Sequence, residues 1–272
     1  MTAPATASRH KARVWAGGWQ EAERQLPQEV PVALVYDAAT QAVMMATPAD
    51  LADLVLGFAL TEGLIASPAE MTATEIVPQT RGIEARAWLV PGASAQLAQR
   101  RRAMAGPVGC GLCGIDSIAE ALRPLPRAAL TGGPYLGPGV PAQAMAALAA
   151  AQPLHTQTRA THAAGFWLPG AGLFAAREDV GRHNALDKLA GALARAGVAP
   201  AAGVLVITSR LSVDLVQKAA MIGARVLIGA GAPTALAVSE AEAAGITLVA
   251  RVRGDGYDIY SHPHRFTDEA LA

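Results

Sequence analysis

Residues 203–229 read GVLVITSRLSVDLVQKAAMIGARVLIG, and this stretch decides the fold class. Its first part, Gly203–Thr208, is a run of apolar and β-branched residues that predicts a buried strand. Ser212–Ile222 then has apolar residues at helical spacing, and Val226–Ile228 predicts a second strand. Two strands joined by one helix are the unit of a parallel sheet, so we expect an α/β layer fold.

The same alternation of strand and helix continues on both sides of this unit. The further predicted strands are Leu173–Arg177, Thr247–Ala250 and Tyr257–Tyr260, and the further helices are Ala142–Ala151, Gly181–Ala196 and Thr234–Ala244. Strands and helices that alternate over about 100 residues are typical of a sheet covered by helices. The sequence therefore predicts a largely parallel sheet in the second half of the chain.

The first half has a different pattern. Glu29–Tyr36, Ala42–Ala46 and Ile83–Val90 are predicted strands, and Thr47 with Pro48 predicts a capped helix start. A stretch rich in proline and glycine follows near residue 125 and indicates a linker. We interpret the chain as a flexible tail (1–13), a smaller α+β region ending in a Cys-x-x-Cys loop (14–125) and a larger α/β domain (126–272).

Composition excludes several classes of protein. Charged residues are 16 % and apolar residues 52 % of the 272, which indicates a globular protein. Lysine plus arginine and aspartate plus glutamate are both 22, so the net charge is zero and broad, non-specific nucleic-acid binding is disfavoured. Apolar runs are too short to cross a bilayer of about 30 Å. Met1–Arg13 lacks the apolar centre of a signal peptide, so we expect a cytoplasmic protein with no membrane partner.

The two cysteines, Cys110 and Cys113, lie in the glycine-rich segment GPVGCGLCG at Gly106–Gly114. In a reducing cytoplasm such a pair is more often reactive or metal-binding than a structural disulfide. A thiolate is the nucleophile, and two thiols at this spacing can exchange a disulfide or persulfide. The alternatives are two small apolar side chains in a turn, or a zinc site, although the His-x-Glu motif of zinc deaminases is absent.

Arg182 and His183 lie where a predicted strand turns into a helix. Ligands of open α/β sheets bind at such turns, so these polar side chains are candidates for a binding site or a dimer interface. Asn184 and Lys188 share one face of the same helix. The alternative is a capped helix start whose charged groups are solvated.

Ser209, Arg210 and Ser212 lie at a second turn from strand to helix. Free backbone N–H groups, hydroxyls and a guanidinium are suited to holding phosphate. The Walker A spacing is absent, which disfavours a P-loop enzyme. The alternative is that Ser212 only caps its helix.

The final candidate is a turn near the end of the chain. Its residues are Arg251, Val252, Arg253, Gly254, Asp255 and Gly256. Arginine side chains beside a turn can hold phosphate or a guanine ring. An exposed β-turn without function is the alternative.

These strings together resemble the FdhD family of formate dehydrogenase accessory sulfurtransferases. The resemblance spans nearly the whole chain. It is carried by EVPVALVY (29–36), MMATPADLADLVLGFALTEGLI (44–65), GCGLCG (109–114), REDVGRHNALDKL (177–189), TSRLSVDLVQKAAMIGARVL (208–227), APTALA (232–237) and YSHP (260–263).

The resemblance implies a larger domain with a three-layer, cytidine-deaminase-like fold. It implies a sulfur carrier that takes persulfide sulfur from a cysteine desulfurase and passes it to the molybdenum bis-molybdopterin guanine dinucleotide cofactor of formate dehydrogenase. Cys110 would be the persulfide carrier and Cys113 its partner. Arg251–Gly256 would contact the cofactor, with Arg182–His183 and Ser209–Ser212 completing the pocket. The resemblance also implies a homodimer that binds guanine nucleotide. It implies no resident metal.

Two rival functions remain open at this point. The protein could be a chaperone that holds the cofactor for formate dehydrogenase while its cysteines only sense redox state or contact the partner. It could also be a metal-dependent hydrolase, although a deaminase-like fold does not fix the activity.

Overall fold

A computed structural model describes residues 5–103 and 124–267, so Cys110 and Cys113 lie outside the described residues. Two small sheets form the N-terminal part. In chain order its elements are β1 (Ala7–Trp15), β2 (Trp19–Pro27), β3 (Val30–Tyr36), β4 (Ala39–Ala46), α1 (Leu51–Thr61), β5 (Met71–Gln79), β6 (Gly82–Leu89) and α2 (Pro91–Ala103).

The C-terminal part is built on one larger sheet. Its elements are α3 (Val140–Ala150), α4 (Pro153–Thr158), β7 (His162–Leu168), β8 (Gly172–Asp179), α5 (Arg182–Arg195), β9 (Val204–Ile207), α6 (Val213–Met221), β10 (Val226–Gly229), α7 (Ala235–Ala244), β11 (Thr247–Arg253) and β12 (Gly256–Ser261). None of the helices in the described ranges is long and apolar enough to cross a membrane.

The larger sheet is mixed rather than largely parallel, so that prediction was wrong. Its strand order is β12-β11-β10-β9-β7-β8, and only β9, β10 and β11 run parallel. β7 with β8 and β11 with β12 are joined by tight turns, and strands joined in this way pair antiparallel. The predicted βαβ units are therefore confined to the centre of the sheet.

Helices cover both faces of this sheet, which confirms the three-layer α/β architecture. One face packs against α5, α6 and α7 through buried side chains such as Leu189, Leu205 and Leu215. The other face packs against α3 through Leu148, Val206 and other aliphatic residues. Burial of these side chains on both faces explains why the central strands are almost entirely apolar.

The N-terminal four-stranded sheet, in the order β4-β3-β6-β5, buries one face against α1. Leu34, Leu54 and Phe58 lie in that core. The division of the chain near residue 125 remains an interpretation, since α1 also packs along α5 of the larger sheet.

Residues 7–13 form most of β1 and not the flexible tail expected from their polarity. β1 pairs with β2 in an antiparallel hairpin, in register from Ala7 with Pro27 to Trp15 with Trp19. The two tryptophan rings meet edge to face at the end of the hairpin, 5.4 Å apart. Most side chains of the hairpin are exposed, so the polar sequence carries no sign of a buried face.

The predicted cap of α1 was also wrong. The helix begins at Leu51, and Asp50 is the N-cap residue in a left-handed conformation with φ of 53°. The Thr47 hydroxyl instead accepts a hydrogen bond from the backbone N–H of Val180, 3.2 Å away. The Thr47 hydroxyl therefore bonds to a residue from a distant segment and does not cap the helix that follows it.

Helices α1 and α5 approach so closely that glycine is required at the crossing. A Cβ atom at Gly57 would lie 1.7 Å from the backbone oxygen of Asp187, and one at Gly191 would lie 2.0 Å from that of Asp53. The two backbones are thus in direct contact, and a methyl group at either position would force the helices apart.

We expect Gly57→Ala to lower the free energy of unfolding by about 2 kcal/mol or more, because overpacking displaces backbone and not a flexible side chain. Urea unfolding measures this change. Gly92→Ala is the matched control, since Gly92 is also helical but has open space around it, and alanine favours a helix. Equal unfolding midpoints for the two variants would show that the crossing tolerates a side chain.

Candidate functional site

The predicted polar turns meet at the carboxyl edge of the parallel strands. The N–H of Gly231, after β10, donates to the backbone oxygen of Ser209, after β9, at 3.2 Å. The N–H of Arg251 donates in turn to the backbone oxygen of Gly231 at 3.1 Å. A Cβ at Gly231 would lie 2.8 Å from the Cα of Arg210, so the loops leave no room for a side chain there. One sheet edge therefore brings together segments that are distant in sequence.

Three buried polar atoms beside this edge lack a hydrogen-bond partner among the described residues. They are Nε of Arg182, Nε2 of His183 and Oγ of Ser212. Ser212 occupies the N-cap position of α6, yet its hydroxyl makes no capping bond. Buried polar groups are normally paired, because an unpaired one is costly. These atoms are therefore suited to a polar ligand.

His183 is a neutral imidazole at physiological pH. Burial, with the positive charges of Arg182 and Lys218, lowers the pKa of His183 to about 4, although Asp214 and Glu62 act in the opposite direction. Its Nε2 lies 3.7 Å from Oδ2 of Asp214, beyond hydrogen-bond distance. A neutral ring can donate from one nitrogen and accept at the other, so His183 suits a polar heterocycle or a hydroxyl group.

Ser209 and Arg210 differ in what they offer a ligand. The Ser209 side chain is buried, and its hydroxyl donates to the backbone oxygen of Arg210 at 2.9 Å. Arg210 is exposed at the edge. The exposed guanidinium of Arg210 is suited to a phosphate at the rim of the edge, whereas the buried Ser209 hydroxyl mainly stabilises the loop.

The Arg251–Gly256 segment forms the end of β11 and the turn into β12. Arg251 has φ of 58°, and its Nε lies 3.4 Å from Oδ2 of Asp258. Val252 is 7 % exposed and packs in the core, so its side chain cannot reach a ligand. The contact predicted there can only be made by its main chain. Arg253, Gly254, Asp255 and Gly256 are exposed.

Asn184 and Lys188, which share the helix face noted in the sequence, do not line an open site. The Lys188 ammonium lies 2.6 Å from Oδ2 of Asp179, and both side chains are fully buried. Lys188 also donates to the backbone oxygen of Thr47 at 2.9 Å, and Asn184 donates to Oδ1 of Asp179 at 2.9 Å. These contacts fix the loop after β4 to the start of α5.

A second buried cluster joins α1 to α5 and α6. The Lys218 ammonium lies 2.9 Å from Oδ1 of Asp187 and 2.6 Å from Oε1 of Glu62. Thr61 donates to Oδ1 of Asp187 at 2.6 Å. Burial opposes the charge on Lys218, but the two carboxylates outweigh that effect and raise the pKa of Lys218. Sequence reasoning missed both clusters, because the partners come from distant segments.

Among residues 5–103 and 124–267, no group of three or more histidine, cysteine, aspartate or glutamate side chains is arranged to hold a metal ion. The predicted catalytic residues Cys110 and Cys113 lie outside that part.

A family model and several named proteins match most of this chain. A family model described as the FdhD/NarQ family matches residues 27–267. A protein of Agrobacterium fabrum named sulfur carrier protein FdhD is 51 % identical over 243 residues, 89 % of each chain. A Brucella abortus protein of the same name is 52 % identical over 251 residues, 92 % of this chain and 93 % of the other.

A solved structure has the same fold. It belongs to a protein from Desulfotalea psychrophila described as a formate dehydrogenase accessory protein. The match has a TM-score of 0.78 at 25 % identity and covers 97 % of this chain and 100 % of the other.

Proposed function

Because this chain belongs to the FdhD/NarQ family, we propose that it is a sulfur carrier that supplies formate dehydrogenase with sulfur bound to Cys110. The observation that carries the proposal is the similarity to proteins named sulfur carrier protein FdhD over about nine-tenths of the chain. The family match at residues 27–267 includes both the Cys110/Cys113 pair and the sheet edge with its unpaired polar atoms.

The proposed sulfur transfer is a thiolate exchange. The Cys110 thiolate attacks the outer sulfur of a persulfide on a cysteine desulfurase, the donor S–S bond breaks, and the donor cysteine leaves as a thiolate. Cys110 then carries the sulfur as a persulfide, with no net oxidation. If the Cys113 thiolate next attacks Cys110, the two cysteines form a disulfide and the sulfur leaves as sulfide, which balances the electrons. The protein would thus act as a sulfurtransferase.

The proposed recipient is the molybdenum bis-molybdopterin guanine dinucleotide cofactor, which this protein would hold as cargo. Arg182, His183 and Ser212 present buried polar atoms without partners among the described residues, and Arg210 and Arg253 are exposed cations. Donors and cations of this kind suit the phosphates and ring edges of a dinucleotide. The role of these residues would be to bind and orient the cargo for sulfur delivery.

The proposed partners follow from this scheme. A cysteine desulfurase donates the sulfur, formate dehydrogenase receives the cofactor, and two copies of the chain form a homodimer. The cytoplasm fits this role, because its reducing conditions keep the cysteines available as thiols.

A cofactor-binding chaperone is the second candidate function. The observation in its favour is that the unpaired atoms of Arg182, His183 and Ser212 could hold a ligand without any cysteine chemistry. In that case the cysteines would only contact the partner or respond to redox state.

Mass spectrometry tests the sulfur carrier directly. After the protein is mixed with a cysteine desulfurase and free cysteine, we expect one added sulfur on the peptide that contains Cys110, removable by a reducing thiol. The Cys113→Ala variant, in which Cys110 is the remaining cysteine, should still gain it. An active desulfurase that adds no sulfur to either protein would reject the sulfur carrier and favour the chaperone.

A further inference from the structure

The hairpin of β1 and β2 has little support from the rest of the described chain. Each strand has nine residues, which gives the hairpin a length of roughly 30 Å. Most of its side chains are exposed, and its main contact with another described element is that of β2 with α4. A two-stranded hairpin is only marginally stable by itself in water. Contact with a further surface would therefore stabilise it.

The tip of the hairpin presents two tryptophan side chains to solvent. Trp15 is 64 % exposed and Trp19 is 60 % exposed, and the two residues are directly opposite each other across the strands. The Arg13 guanidinium lies over the Trp19 ring, 4.9 Å from its centre. Tryptophan and arginine are enriched among the residues that contribute most to binding between proteins. The tip therefore has the composition of a protein contact surface.

One face of the hairpin carries opposite charges on its two strands. Alternate residues of a strand share a face, and so do residues directly opposite each other in an antiparallel pair. Lys11 lies opposite Glu23, and Arg13 lies opposite Glu21. The Arg9 guanidinium is 3.9 Å from the Glu23 carboxylate, as expected for side chains on one face. This charged face thus has a cationic row on β1, an anionic row on β2 and the two tryptophans at its tip.

The charged face is complementary to a second copy of itself. A two-fold axis parallel to the strands places β1 of one copy over β2 of the other, so each cationic row meets an anionic row. The same axis brings the two tips together, with Trp15 over Trp19 of the partner subunit. An axis across the strands would instead place like charges in contact, which disfavours that arrangement. Reciprocal contacts of this kind are typical of a homodimer with two-fold symmetry.

We propose that the charged faces of two hairpins pack against each other in a homodimer of this chain. The tryptophan rings supply apolar contact area, since exposed ion pairs contribute little free energy by themselves. The charged rows set the orientation, because complementary charges give specificity more than affinity. The family match begins at residue 27, so the inference concerns a part of the chain outside it. It rests on the proposed function only for the existence of a homodimer.

The first test is a cross-link with a carbodiimide, which joins a carboxylate directly to an amine that it contacts. The chain has three lysines, of which Lys188 and Lys218 are buried and Lys11 is exposed. We expect covalent dimers of the full chain on a denaturing gel, with Lys11 joined to Glu23 in their linked peptides. Lys11→Arg, which keeps the charge but lacks the reactive amine, should lose these dimers. Covalent dimers that persist in Lys11→Arg, or none in the unchanged protein, would overturn the proposal.

The second test is the strength of the dimer. Trp19→Ala should raise its dissociation constant about tenfold or more, the usual effect of truncating a tryptophan that is buried in an interface. Analytical ultracentrifugation measures the constant. Trp88→Ala is the matched control, because Trp88 is a tryptophan of β6 that is 40 % exposed and lies outside the hairpin. Equal dissociation constants in the two variants, or a chain that is monomeric at every concentration, would overturn the proposal.

The inference and the proposed function fail in different ways. A persulfide on Cys110 in a protein whose hairpins do not pair would reject only the inference. Paired hairpins without a persulfide would reject only the sulfur carrier.

Discussion

Replacement of Cys110 by alanine is expected to abolish activation of formate dehydrogenase. Alanine removes the sulfur atom that would hold the persulfide, and no other side chain in the chain except Cys113 can take its place. The experiment is complementation of a strain that lacks the protein, with formate dehydrogenase activity as the readout and circular dichroism of the purified variant as the check on folding.

The matched control for this prediction is Ser117→Ala, a change of similar size in the same segment. We expect that variant to support full activity. Full activity of the Cys110→Ala/Cys113→Ala double variant would show that sulfur does not pass through this chain. The chaperone would then be the better explanation, because it requires only the ligand-holding residues.

The central strands could be predicted from sequence because their signal is local. Gly203–Thr208 and Val226–Ile228 are short apolar runs rich in β-branched residues, and they form β9 and β10. β5 and β7 were not predicted. β5 is mostly exposed and has no clear apolar face, whereas β7 begins with small residues that carry little strand preference.

Contacts between distant segments could not be predicted in the same way. Thr47, Pro48 and Asp50 form a plausible helix start, and only the folded chain shows that Thr47 contacts Val180 and Lys188 instead. A helix-capping rule considers only residues that are close together in the sequence. It cannot account for a stronger hydrogen-bond partner more than a hundred residues away.

The candidate site was only partly predictable for a related reason. The turns after β8 and β9 follow from the rule that ligands bind at the carboxyl edge of α/β sheets, and the structure places Arg182, His183 and Ser212 there with unpaired atoms. The same polar stretch also contains Asn184 and Lys188, which are buried in structural contacts. Polar residue types alone do not separate these two roles.

Replacement of Lys188 by methionine is expected to lower the free energy of unfolding by about 3–5 kcal/mol, the cost of leaving one partner of a buried ion pair without the other. Lys188 and Asp179 are both fully buried, with 2.6 Å between Nζ and Oδ2. Methionine preserves most of the side-chain volume, so the loss would come from the charge and not from a cavity. Urea unfolding measures it, and Lys11→Met in the exposed part of β1 is the control. Equal losses of unfolding free energy in Lys188→Met and Lys11→Met would mean that the buried pair of Lys188 and Asp179 does not stabilise the fold.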